Sequence, residues 1–169
     1  ASGENPDLFT EGRTVLDVRA ARVVTSQRPI PDAASVEKAD RDVRDQFKIE
    51  LAQARSLAQR AALASRILER AAGIGEPATA YSLFHLAHET ALRARYALLA
   101  LDCVELWLRR FRVDEVARCL ESFTVLRLMD FHPAQRAELS ERAVAAAETA
   151  VTAARLGPAT QLLDQAIAL

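Results

Sequence analysis

Residues 73–111, GIGEPATAYSLFHLAHETALRARYALLALDCVELWLRRF, decide the fold. Gly73 suits the left-handed residue that closes a helix, Ile74 supplies the apolar contact that goes with such an ending, and Pro77 suits the first turn of the next helix. Ala80, Leu83, Ala87, Ala91 and Ala94 then recur at helical spacing, so a helix over 77–94 presents small residues to a close neighbour. The helix after it, 96–110, is apolar almost all round. Leu98, Leu99, Leu101, Val104, Leu106, Trp107 and Leu108 leave only Asp102 and Glu105 as a wet strip, and such a helix belongs in the middle of a bundle or stack.

On the N-terminal side, Asp32 is placed to cap a helix, and no Gly or Pro follows until Gly73. Val36, Val43, Phe47, Leu51 and Ala54 form one stripe, and Leu57, Ala61, Ala64, Leu68 and Ala71 form another. The phase changes at Arg55-Ser56, which predicts two helices or one long helix broken there. Residues 1–31 are different: Gly3, Asn5-Pro6, Gly12, Pro29 and Pro31 punctuate an aperiodic patch of Val15, Leu16, Val18, Val23 and Val24. This reads as an arm or linker, either a short helix or an extended segment laid on the body.

On the C-terminal side, Asp114 caps a fifth helix reaching Met129, with Val116, Cys119, Leu120, Phe123 and Leu126 inward. His132-Pro133 opens a sixth, striped by Leu139, Ala143, Ala146, Ala150 and Ala153, and Gly157-Pro158 repeats the stop-and-start signal before a seventh. That helix is still apolar at Leu169, whereas a solenoid normally closes on a polar cap, so the native protein is expected to be longer.

The composition agrees with a helical domain over 32–169. Of 169 residues 34 are Ala, the strongest helix former, against 5 Gly. Half the residues are hydrophobic, enough to build a core without disulfides or a metal. The 22 basic residues, 20 of them Arg, balance 23 acidic ones, which excludes a dedicated nucleic-acid binder with its strong positive excess. With no run of 18 apolar residues there is no transmembrane segment.

Ala87-His88-Glu89-Thr90-Ala91 matches Ala146-Ala147-Glu148-Thr149-Ala150 at a spacing of 59, and Leu101-Asp102 matches Leu163-Asp164 at 62. Repeated antiparallel helix pairs of this kind predict an all-α protein, its helical hairpins stacked as a short tetratricopeptide-like α-solenoid with the fourth helix central. The likeness is architectural, because neither the 34-residue period of that repeat nor its Trp, Gly, Tyr and Pro positions are met.

A more specific resemblance lies in Pro29-Ile30-Pro31-Asp32-Ala33-Ala34, the Leu57–Ala71 helix, Ala80-Tyr81-Ser82-Leu83, Ala87 to Ala91, Ala97 to Leu106, and above all the Arg110-Phe111-Arg112-Val113-Asp114 turn. These resemble an uncharacterised family of Ala-rich helical proteins common in planctomycete bacteria, over residues 29–169. The chain departs from that family's Gly-Asp turn in having Arg93-Ala94-Arg95. The resemblance implies a helical, non-catalytic module, exported or associated with the cell envelope and often joined to other domains. It carries no site residues across.

Three constellations bear on chemistry. His85, His88 and Glu89 share one helix turn, and two imidazoles with a carboxylate could hold Zn²⁺ or another first-row ion with open positions. Their His-x-x-His-Glu order is neither the zincin nor the di-iron spacing, a further ligand would have to come from elsewhere, and His132 is the only other histidine. The plainer reading, half-buried or solvent-facing helix residues, is favoured. Cys103 and Cys119 are equidistant from a turn near residue 111 and could face each other, although buried reduced thiols are favoured over a disulfide. Arg93 and Arg95, and Arg109, Arg110 and Arg112, stand where cations complement helix C-termini, and Asp102, Glu105 and Arg109 read as a solvated strip that pairs with itself. No phosphate loop, nucleophile elbow or catalytic triad is present. The sequence therefore predicts a non-catalytic helical scaffold or protein-interaction module with no cofactor. Its partner would be another protein or other domains of the same chain, not nucleic acid. The alternative is a metal-binding helical protein, a possible hydrolase, built on His85, His88 and Glu89.

Overall fold

The structure, a computed structural model, describes residues 27–126 and 131–169. Within them lie seven helices: α1 (Ala33–Gln53), α2 (Leu57–Gly73), α3 (Pro77–Arg93), α4 (Ala97–Arg110), α5 (Glu115–Leu126), α6 (Pro133–Thr152) and α7 (Leu156–Ala168). The expected apolar patch of the N-terminal arm and the end of the fifth helix at Met129 lie outside the described residues.

Local chemistry sets most of the helix starts. The Asp32 carboxylate accepts from the Ser35 N–H at 2.9 Å and opens α1. Ser56 and Gln59 form a reciprocal capping box at the start of α2, so the break at Arg55-Ser56 separates two helices. Glu76 accepts from the N–H groups of Ala78 and Thr79, with Pro77 in the first turn of α3. Asp114 accepts from the Ala117 N–H at 3.0 Å, and the His132 ring takes the same part for α6.

Helix ends depart from the glycine signals. No described glycine has a positive φ, and α2 runs on through Gly73 to an extended Ile74. The carbonyls a left-handed turn would have satisfied are taken instead by the Arg110 guanidinium, which donates to Ala71 at 2.8 Å and also to Ile74. Among the described residues the left-handed ones are Arg95 (φ 55°) and Ala154 (φ 57°), 59 positions apart. At the first, Arg95 N–H donates to Leu92 and Tyr96 N–H to Ala91; at the second, Ala154 donates to Val151 and Arg155 to Ala150. Both are the paired bonds of a Schellman motif. The sixth helix therefore stops at Thr152, Ala153 is exposed beyond it, and Gly157-Pro158 lies inside the first turn of α7, where proline's missing N–H is no loss.

Each helix packs only against helices one or two places along the chain: α3 on α1, α2, α4 and α5, and α4 on α2, α3, α5 and α6. This neighbour-only, solenoid-like order produces two cores in series. The first gathers Phe47, Leu63, Ile67, Leu83, Phe84 and Trp107; the second gathers Phe123, Leu126, Leu139, Ala143 and Leu162. As expected, α4 serves both, with Cys103 and Trp107 in the first and Ala97 and Leu101 in the second. The most enclosed helix is nevertheless α3, with ten buried residues, because Ala80, Ala87 and Ala91 let neighbours approach its backbone on several sides. In α2 the inward line is Leu63, Ala64, Ile67, Leu68 and Ala71, and Leu57 at the helix start is exposed.

At the start of the described residues, Arg28 is tied to the turn between α4 and α5. Arg28 N–H donates to the Arg110 carbonyl and Arg112 N–H donates to that of Arg28, both at 2.9 Å, forming a parallel bridge opposite Phe111. Among the described residues, no helix is long and apolar enough to cross a membrane.

Candidate functional site

The three residues with most chemical potential sit on the middle turns of α3, and the fold sends them in different directions. His88 is 3% exposed and meets α5, where its Nε2 lies 2.8 Å from Ser122 Oγ. Ser122 spends its single hydroxyl proton on the Arg118 carbonyl at 2.8 Å, so its oxygen accepts and His88 carries its proton on Nε2. Burial lowers the His88 pKa to about 4, with the nearby Glu121 charge opposing. The ring is neutral at pH 7 and acts as a hydrogen-bonding element of the core.

Glu89 points elsewhere. Arg44 of α1 donates to its Oε2 at 2.8 Å and Arg93 donates to Oε1 at 2.6 Å, so each carboxylate oxygen is held by a guanidinium. Partial burial works to raise its pKa, but the Arg44 hydrogen bond and the charges of Arg44 and Arg93 overcome that and keep Glu89 below the ordinary carboxylate range. His85 is half-buried with its ring 5.9 Å from that of Trp107, and His132 is committed to capping α6. His85, His88 and Glu89 thus do not converge, and among the described residues no group of three or more His, Cys, Asp or Glu is disposed to hold a metal ion.

Cys103 and Cys119 are both free thiols. Cys103 belongs to the first core while Cys119 packs against the second. Burial raises both pKa values, that of Cys119 to about 12, so neither is a thiolate at neutral pH.

The charged residues are put to structural use, in part unlike the sequence expectation. Arg109 pairs with Glu105 at 2.7 Å along α4. Asp102 does not join that strip: Arg142 of α6 holds it at 2.9 Å and also binds Glu138 at 3.2 Å. Burial lifts the Asp102 pKa more than Arg142 lowers it. Arg110 serves the C-terminus of α2, not that of its own helix. Arg118 stacks 4.8 Å above Trp107 and ties α5 to α4. Arg44, Arg142 and Ser122 carry no local signal of their contacts with Glu89, Asp102 and His88, because those partners are at least 34 positions away.

A surface cleft of about 280 Å³ lies between α1 and α2, lined by Glu50, Gln53, Gln59, Leu63 and Arg66. It is bridged by the 2.7 Å Arg66–Glu50 ion pair. Comparison with known protein families, characterised proteins and solved structures finds no match for this chain.

Proposed function

We propose that the protein is a non-catalytic helical scaffold, a tetratricopeptide-like α-solenoid that offers its helix faces to a protein partner or to other domains of its own chain. The observation that carries this reading is the neighbour-only packing of the seven helices, which leaves long lateral faces with no helix folded back over them. The disposition of reactive groups supports it. His88, both thiols and both oxygens of Glu89 are engaged in holding the fold together.

The test uses the chain as bait in native extract beside a His85→Ala form, with metal content read on both. His85 is chosen because it is half-buried and, among the described residues, makes no ion pair that the substitution would break. The expected result is one stoichiometric partner on both baits and metal on neither. Metal retained by the parent and lost by the variant would replace this reading with the metal-binding one. Capture of nothing would reduce the protein to a spacer.

A further inference from the structure

We infer that the outer face of α6 and α7 is a seat for a partner's amphipathic helix, docked as α5 docks on α3 and α4. This rests on the interaction reading above and names the face and its occupant. The 59-residue offset that relates the two Schellman endings also relates the helices around them: α4 begins at Ala97 and α7 at Leu156. Burial follows the same register, with Phe84 and Ala143, Ala87 and Ala146, Ala91 and Ala150, and Cys103 and Leu162 all inward.

The register fails in two places: Ala78, Ser82 and Leu86, buried on the side where Ser82 meets α1, correspond to the exposed Ala137, Glu141 and Ala145, and a second face carries larger side chains. On α3 and α4, Leu92 packs against the second core, Ala97 belongs to it and Val104 is 1% exposed, where α5 and α6 cover them. Their counterparts are Val151, Leu156 and Leu163, which are 53%, 68% and 42% exposed, and Ile167, opposite Leu108, is 85% exposed. At about 100° per residue, Leu156, Leu163 and Ile167 fall within about 40° of one another, so they form a stripe and not a scatter. The α6–α7 surface is therefore a second copy of an interface the molecule already uses.

Because this surface copies the one that α5 covers, the occupant is a helix of α5's kind, with Val, Phe and Leu at the spacing of Val116, Phe123 and Leu126.

The probe is the molecule's own docking unit. Residues 111–169 are joined directly after Leu169, which preserves the 59-residue register, and the thiol of an Ile167→Cys substitution is labelled in the parent and extended chains. The seat predicts at least about tenfold slower labelling in the extended chain, and melting at a higher temperature than the parent. Leu163→Asp should abolish both effects while leaving the unextended chain's stability unchanged. Equal labelling in the two chains, or an added unit that melts on its own, would overturn the inference. So would a concentration-dependent dimer of the parent broken by Leu163→Asp, which would assign the face to a second copy. Failure here leaves the partner-capture result intact, and failure there leaves this one intact.

Discussion

The most informative side chain is His88, because its chemistry runs opposite to what its neighbours in sequence suggest. A histidine next to a glutamate and one turn from another histidine looks like a ligand. In the fold it is a buried neutral donor to Ser122, with burial outweighing the opposing charge of Glu121. Its pKa of about 4 lies below the ordinary value of 6.5, so the unfolded chain takes up a proton in that interval and the folded chain does not. Stability therefore falls as the pH drops from 6.5 towards 4. The loss from this residue is about 2 kcal/mol by pH 4.5. Denaturant unfolding at pH 7 and 4.5 should show it, and His88→Gln, which keeps a donor for Ser122 and cannot titrate, should flatten the difference by that amount. An equal slope in the variant would mean that the ring is not held neutral. Glu89 lies below the carboxylate range and adds acid sensitivity of the same sign, which is why the variant and not the bare pH profile is the test. The sequence favoured ordinary helix residues, half-buried or solvent-facing, over a ligand set, but gave no sign of the His88 hydrogen bond or of its full burial. The spacing placed His85, His88 and Glu89 on one helix but could not reveal that Ser122 and Arg44, 34 and 45 positions away, would draw two of them apart.

At the scale of the elements, sequence reading succeeded where a helix start depends on adjacent residues and failed where a helix end depends on distant ones. Asp32, Ser56, Pro77 and Asp114 all act within three residues of their own position, so their patterns could be read directly. Gly73 was read as a left-handed closure because nothing local reveals that Arg110, 39 residues beyond Ala71, supplies donors to the end of α2. Three substitutions follow. Gly73 lies in the helix with nothing within 4 Å of an added Cβ, so Gly73→Ala should stabilise by about 0.5–1 kcal/mol; a left-handed Gly73 would instead make it destabilising. Ala154 bears the strain that Gly73 does not, and Ala154→Gly should stabilise by about 1 kcal/mol. Arg110→Ala strips charged donors from the α2 carbonyls and should cost about 2 kcal/mol. Thermal midpoints of the three variants beside the parent check all of these together.

For the molecule as a whole, the consequence of neighbour-only packing is that stability is distributed along the chain and not shared through one core. The all-helical character and the fourth helix's part in both cores could be read from Ala content and from the nearly continuous apolar surface of α4. The greater enclosure of α3 could not, since small residues hide burial from any hydrophobic pattern: Ser82, His88 and Thr90 are all covered because alanines beside them bring other helices close. The second core is also the weaker by construction. Ala143, Ala146, Ala147 and Ala150 supply most of the α6 contribution, and alanine buries little area, whereas the first core holds Phe47, Phe84, Trp107 and Phe111. Leu139 is fully buried in the second core and has no contact with α1 or α2, whose neighbours extend only to α4. Leu139→Ala should leave a cavity costing about 2–5 kcal/mol, and in a chain of serial contacts that loss should be felt locally before it is felt globally. Hydrogen exchange read helix by helix should show amides of α5, α6 and α7 losing protection while those of α2 and α3 keep most of theirs. Equal loss across all seven helices would mean that α4 couples the two cores into a single cooperative unit, and the solenoid would then behave as one globule.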